Sequence, residues 1–242
     1  MRPIKVIAHR GGRKWAPENT MAAFRKSLEA SVFGIELDIH RCLTGELVVI
    51  HDADIKRTTN GVGLVKDISL DELKRVSAGL WFGEEFKQER LPLLSEVLEL
   101  VSGQIMINIE VKNTPIEYPG IEDELLEALS GYPYWDKILI SSFDHRLIYR
   151  LHKKEPKLSL AVLADALLLD VTEYAEQLGA KYWNPSFQSI NAEAVADAQT
   201  GGLEVYAWTV NEPHDWGLVT SMEVDGIVTD DPKGLIDYLK LL

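Results

Sequence analysis

Nine short apolar runs alternate with helix-length amphipathic stretches along this chain, and that alternation restricts the fold more than any other feature. The runs predict strands at Ile4 to Ala8, Gly34 to Ile39, Leu47 to Ile50, Ile105 to Ile109, Ile138 to Ser141, Ser159 to Leu163, Lys181 to Asn184, Glu204 to Trp208 and Gly226 to Val228. Between most of them the apolar spacing is helical: Met21, Phe24 and Leu28 recur within Thr20 to Ala30, and Ile121 to Leu129 repeats the pattern. Strands separated by helices pair in parallel, because only a crossover returns the chain to the same end of a sheet. Nine strands exceed an eightfold barrel by one, and the link from the second to the third is too short for a crossover helix. A hairpin resolves both problems. A two-residue turn at Thr44-Gly45 sets Asp38 opposite His51 in an antiparallel pair. The expected fold is an α/β TIM (β/α)8 barrel with a small insertion after the second strand and its hairpin.

At 242 residues the chain approaches the roughly 250 that one such barrel uses, so residues 1–242 are expected to form a single catalytic domain with an inserted cap at about 54–94. Within that stretch Ser69 to Val76 reads as a short capped helix and Asn60-Gly61 as a turn, while Trp81, Phe82 and Phe86 either pack on the barrel or shape a substrate pocket. With 25 Lys and Arg against 38 Asp and Glu the net charge is −13, which repels nucleic acid at long range. No run reaches the length of about 20 apolar residues that a membrane span needs, so no membrane insertion is expected. The strand pattern opens at Ile4 with no basic and apolar leader, and Cys42 has no partner for a disulfide or a zinc site, so a cytoplasmic enzyme is expected. Nothing in the pattern specifies an oligomeric state.

Chemistry gathers where the first strands end. Glu36 and Asp38 are two apart, so a strand points both carboxylates to one face. Together with Glu110, after the fourth run, they need a cation, and an oxygen-only set suits a hard divalent ion, Mg²⁺ or Ca²⁺. His9 and His51 close two other strands of the group and suit proton transfer near neutrality, either one as the acid and the other as the base. Lys112 shares a face with Glu110 and can pair with phosphate oxygens; Arg10 can do the same, although it points away from His9 if the strand continues. In Pro17-Glu18-Asn19-Thr20 either Asn19 or Thr20 serves as a helix cap, and Glu18 stands where it can orient a catalytic group or reach substrate. Trp208 at the seventh parallel strand either packs in the core or stacks on a glycerol moiety, while Thr229-Asp230 ends at the same rim.

The strings "AHRGG", "APENT", "GIELDI", "VVIHD", "RTTNG", "WFG", "IEVK", "WTVN" and "DGIVTDDP" stand in one order from Ala8 to Pro232, and in this the chain resembles the glycerophosphodiester phosphodiesterases. The resemblance implies hydrolysis of small glycerophosphodiesters, such as glycerophosphocholine or glycerophosphoethanolamine, to glycerol 3-phosphate and an alcohol. It implies His9 and His51 as acid and base, Glu36, Asp38 and Glu110 around the divalent ion, and Arg10 and Lys112 on phosphate. It also implies that the substrate's own glycerol hydroxyl attacks first, giving a cyclic phosphate that water opens. Two departures stand out: Phe33 replaces a frequent acidic residue, and His40-Arg41-Cys42-Leu43 replaces a more polar stretch. Both bear on substrate selectivity rather than on activity. A phospholipase D of the sphingomyelinase type has a similar site but acts at lipid surfaces, which bulk acidity disfavours. A barrel that only binds phosphodiesters is the third alternative.

Overall fold

The computed structural model describes residues 3–242. Its strands are β1 (Lys5–Ala8), β2 (Gly34–Arg41), β3 (Leu47–Val49), β4 (Met106–Val111), β5 (Ile138–Ser142), β6 (Ser159–Ala164), β7 (Tyr182–Pro185), β8 (Glu204–Ala207) and β9 (Gly226–Thr229). Eight of them pair in parallel in the order β1-β9-β8-β7-β6-β5-β4-β2, and β1 pairs with β2 to close the barrel. Helices α1 (Met21–Glu29), α2 (Leu70–Leu73), α3 (Leu94–Val101), α4 (Ile121–Ser130), α5 (His145–Lys154), α6 (Val171–Leu178), α7 (Ala192–Thr200), α8 (Pro213–Ser221) and α9 (Pro232–Leu239) fill the connections, apart from the β2–β3 hairpin.

Strand alternation divides the apolar residues between two environments. Ile35, Leu37, Ile39, Ile107, Ile109 and Val162 face outward and bury themselves under the helices. Ile7, Met106, Leu139, Ala161, Tyr206 and Val228 face inward and fill the barrel. At the floor Lys5 Nζ lies 2.5 Å from Glu204 Oε2, 3.1 Å from the Tyr206 hydroxyl and 4.9 Å from the centre of the Phe33 ring. Phe33 therefore stands just ahead of β2, at the end of the barrel away from the strand termini where the carboxylates gather, and the expectation that it tunes substrate choice is corrected: its ring lies against Lys5 of a floor ion pair.

The extra strand β3 runs antiparallel to β2, with Ile39, His40 and Arg41 opposite Val49, Val48 and Leu47. The turn differs from the expectation by one residue. Cys42 N donates to Glu46 O at 3.0 Å, so Leu43, Thr44 and Gly45 make a three-residue loop in which Gly45 takes a φ of 105°. Ile50, not His51, then stands opposite Asp38, and Ile50 N donates to Asp38 O at 3.0 Å. On the edge of β2 that β3 occupies, β1 pairs only as far as Ile35, so the edge is shared by two strands.

The segment from the end of β3 to α3 carries its own small core: Ile50, Ile55, Val65, Leu73, Ala78 and Leu91 pack with Cys42 and Val48 of the hairpin. The capped helix is one turn, Leu70–Leu73, where Glu72 accepts from the backbone N–H and the hydroxyl of Ser69. Trp81, Phe82 and Phe86 stack edge to face on one another, with ring centres 5.6 and 5.4 Å apart.

Candidate active site

Inward-facing parity carries polar groups to the mouth of the barrel as it carries apolar groups to its middle. Glu36 and Asp38 continue the inner face of β2, Asn108 and Glu110 that of β4, Ser141 that of β5 and Asn184 that of β7. One cleft is lined by His9, Arg10, Glu36, His51, Glu110 and Lys112 on one side and by Phe143, Leu163, Asn184, Trp208 and Thr209 on the other.

Oxygen atoms of Glu36, Asp38 and Glu110 lie within 4.8 Å of one another. Burial, reinforced by the charges of Asp38 and Glu110, pushes the Glu36 carboxyl well above its ordinary range. Burial likewise raises Glu110 to about 7, against the pull of Lys112. Asp38 is buried too, yet Lys112 and Arg10 hold it below the usual carboxylate range, and Asn19 Nδ2 donates to its Oδ2 at 2.8 Å. Lys112 Nζ bridges two of the three, 2.5 Å from Glu110 Oε1 and 3.0 Å from Asp38 Oδ1. Three crowded carboxylates with oxygen-only donors fit a hard divalent cation, which relieves the repulsion that adds to burial in raising Glu36 and Glu110.

Strand β1 stops at Ala8, and the chain enters a single tight turn over His9–Gly11 with Arg10 at a φ of 50°. This turn, not a continued strand, directs Arg10, so its side chain stays at the site: Nε is 3.4 Å from Asp38 Oδ2 and the backbone N–H donates to Glu36 Oε2 at 2.9 Å. Gly11 allows the turn to sit against α1, since a Cβ there would come within 2.8 Å of Ala23 Cβ.

His9 Nδ1 lies 2.6 Å from Asp230 Oδ1, and its Nε2 is 4.0 Å from Glu36 Oε2. His51 Nδ1 lies 2.6 Å from Asp52 Oδ1. An ionised carboxylate has no proton to give, so each Nδ1–H donates and each Nε2 is left for other work. Burial lowers the affinity of both rings for a second proton; the hydrogen bond to Asp230 opposes this at His9, and the charge of Asp38 opposes it at His51. His40, from the unusual stretch, places Nε2 3.0 Å from the carbonyl oxygen of His51 and Nδ1 2.8 Å from the Tyr118 hydroxyl.

Glu18 is the correction among the expected substrate contacts. Its side chain is 1% exposed and accepts from Arg10, Arg13 and Arg57, so no lone pair is directed at the cleft. Thr20 rather than Asn19 caps α1, accepting from Ala23 N, while Asn19 turns to Asp38. Trp208 reaches the cleft, its Nε1 donating to Asn184 O at 2.8 Å and its ring 5.8 Å from that of Phe143 at 89°. The sequence places Asp230 at the rim but shows neither its pairing with His9 nor a site role for Asp52, Arg13 and Arg57. Asp52 is the exception in kind, because its place next to His51 is visible in the string itself.

The model of the glycerophosphoryl diester phosphodiesterase family matches residues 9–234. A glycerophosphodiester phosphodiesterase of Caldanaerobacter subterraneus is 41% identical over 236 residues, 97% of each chain. One from Bacillus altitudinis is 40% identical over 232 residues, 94% of this chain and 95% of its own. Among solved structures, an Oleispira antarctica phosphodiesterase in complex with the product sn-glycerol-3-phosphate superposes with a TM-score of 0.90 at 28% identity, covering 98% of this chain and 96% of that one. The barrel, the grouping of side chains at its mouth and these likenesses agree, and the chain belongs to the glycerophosphoryl diester phosphodiesterase family.

Proposed function

We propose that this protein hydrolyses small glycerophosphodiesters, glycerophosphocholine or glycerophosphoethanolamine among them, to sn-glycerol 3-phosphate and an alcohol. The observation that carries the reading is the convergence of two imidazoles, three carboxylates, Arg10 and Lys112 on one cleft in a chain of this family. The product held by the Oleispira antarctica phosphodiesterase supports the choice of substrate class.

Glu36, Asp38 and Glu110 would hold one divalent cation, Mg²⁺ or Ca²⁺, which when bound supplies Lewis-acid polarisation of a phosphate oxygen. Lys112 and Arg10 offset the remaining charge of the phosphodiester. One histidine takes the proton of the attacking hydroxyl through Nε2 while a new P–O bond forms. The other protonates the alkoxide as the old P–O bond breaks. With the neighbouring glycerol hydroxyl as nucleophile the first product is a cyclic phosphate, and the same pair then serves water with the roles exchanged. Trp208 and Phe143 wall the side of the cleft away from the carboxylates, where the alcohol or glycerol carbon atoms rest. Residues 54–94 are read as a cap on a single catalytic unit, since their small core rests on the hairpin that delivers His51.

Incubation with glycerophosphocholine and Mg²⁺ or Ca²⁺, followed by enzymatic measurement of sn-glycerol 3-phosphate, tests the reading. No turnover with either ion overturns it.

A further inference from the structure

The two imidazoles are held by matching devices that meet at one buried carboxylate. Asp52 gives one oxygen to His51 Nδ1, and its other oxygen accepts from Arg57 Nε at 2.6 Å. Asp230 gives Oδ1 to His9, while its Oδ2 accepts from Asn211 Nδ2 at 2.9 Å and Arg13 NH1 at 3.3 Å. Both arginines then turn to Glu18. Arg57 donates NH1 to Oε2 at 3.0 Å and NH2 to Oε1 at 2.8 Å, so its guanidinium is forked between two carboxylates. Arg13 donates Nε to Glu18 Oε2 at 2.9 Å.

We propose that Glu18, Arg13 and Arg57 form a strap that fixes the planes of Asp52 and Asp230 together, so that Glu18 is a positioning residue for two histidines it does not touch. The inference rests on the hydrolytic reading above and deepens it. The charges support the network: Arg13 and Arg57 bridge Glu18 to Asp230 and Asp52, and Arg10 ties Glu18 to Asp38. Burial raises the Glu18 carboxyl, but Arg57 and Arg10 hold it at about 2, so it stays ionised at any working pH. The geometry is specific to guanidinium, because its planar fork offers separate nitrogens to two carboxylates and so fixes their planes, whereas a single ammonium nitrogen neutralises carboxylates without orienting them. A carboxylate free to rotate lets its imidazole swing, and misplacement of a reacting group by about 1 Å costs on the order of 10²-fold in rate.

The test is the double variant Arg13→Lys/Arg57→Lys, which keeps both charges and leaves Arg10 in place. With glycerophosphoethanolamine its kcat is expected to fall about 10- to 100-fold with KM changed by no more than about twofold. With glyceryl p-nitrophenyl phosphate, whose leaving group departs without a proton, the loss read from the first-turnover release of p-nitrophenolate is expected to shrink several-fold, because only the base then suffers in that step. Glu18→Gln should show the same dependence on leaving group. Wild-type kcat in the lysine variant, a rise in KM alone, or an equal loss on both substrates overturns the strap. If the double variant is unfolded by circular dichroism, Arg57→Lys alone carries the test, and an unchanged kcat there overturns it. Release of sn-glycerol 3-phosphate by the wild-type chain is measured first. Its absence sinks the function, whereas wild-type turnover beside undiminished lysine variants sinks only the strap.

Discussion

Metal affinity should depend steeply on pH, and the direction follows from the crowding of the carboxylates. A cation needs ionised oxygen ligands, yet burial and mutual repulsion hold Glu110 at about 7 and Glu36 well above its ordinary value. Below neutrality each ion bound must therefore displace at least one proton. The association constant should rise at least about tenfold per pH unit from about pH 5.5 to about pH 6.5, equivalent to at least about 1.4 kcal/mol per unit, and more steeply where Glu36 must give up its proton too. Above about pH 7 the part due to Glu110 levels off, and a residual slope belongs to Glu36. Calorimetric titration of Ca²⁺ into the chain, repeated in two buffers of different ionisation enthalpy, reads both the affinity and the protons released. Glu110→Gln has no proton to lose there and should remove the Glu110 part of the slope, about one proton per ion bound, at the expense of affinity. A dissociation constant that stays level across this window in the wild-type chain, with no proton released, would refute the reasoning, because the carboxylates would then already be ionised without the ion.

Replacing His9 or His51 by Ala should lower kcat by about 10²-fold or more, the scale of a positioned acid or base, and a retained rate removes that residue from the mechanism. Gly11→Ala places a Cβ 2.8 Å from Ala23 Cβ at a φ of 79°, so about 1–3 kcal/mol of stability and most activity should be lost together. Thermal melting and turnover measured on one preparation check that pairing; loss of neither shows that the turn tolerates the side chain. Ile55→Ala, in the small core beneath the hairpin, should cost about 2–5 kcal/mol in urea unfolding if that core melts with the barrel. A shallow early transition would instead mean that the segment unfolds separately.

What the sequence made legible was whatever repeats with a short period. The strands and the inward parity of Glu36, Asp38, Glu110 and Lys112 follow from alternation, and each of these residues stands at the predicted rim. The hairpin register slipped by one because Gly45 at a φ of 105° lets a third residue into the loop, and a two-residue and a three-residue turn use the same letters. Strand periodicity left the direction of Arg10 open, since it points away from His9 only if the strand runs past Ala8, where the backbone has already turned. Asp230 lies 221 residues from His9 and Arg57 lies in a stretch without period, so neither pairing leaves a local trace. Glu18 could be placed near the site, but the loop that folds Arg10 and Arg13 back onto it has no period, and Arg57 arrives from the inserted segment, so only the fold brings the three guanidinium groups together.

The shared edge of β2 makes the two imidazoles unequal in durability. His9 hangs from a strand inside the closed ring, which can loosen only when the whole barrel does. His51 follows β3, which among the strands pairs with β2 alone. Transient fraying of that short ladder would release one imidazole while leaving the acidic trio and the ring intact. Heat should then silence the protein some degrees before it collapses, and amide exchange at Ile50, whose N–H donates to Asp38 O across that ladder, should run ahead of exchange at Ile7.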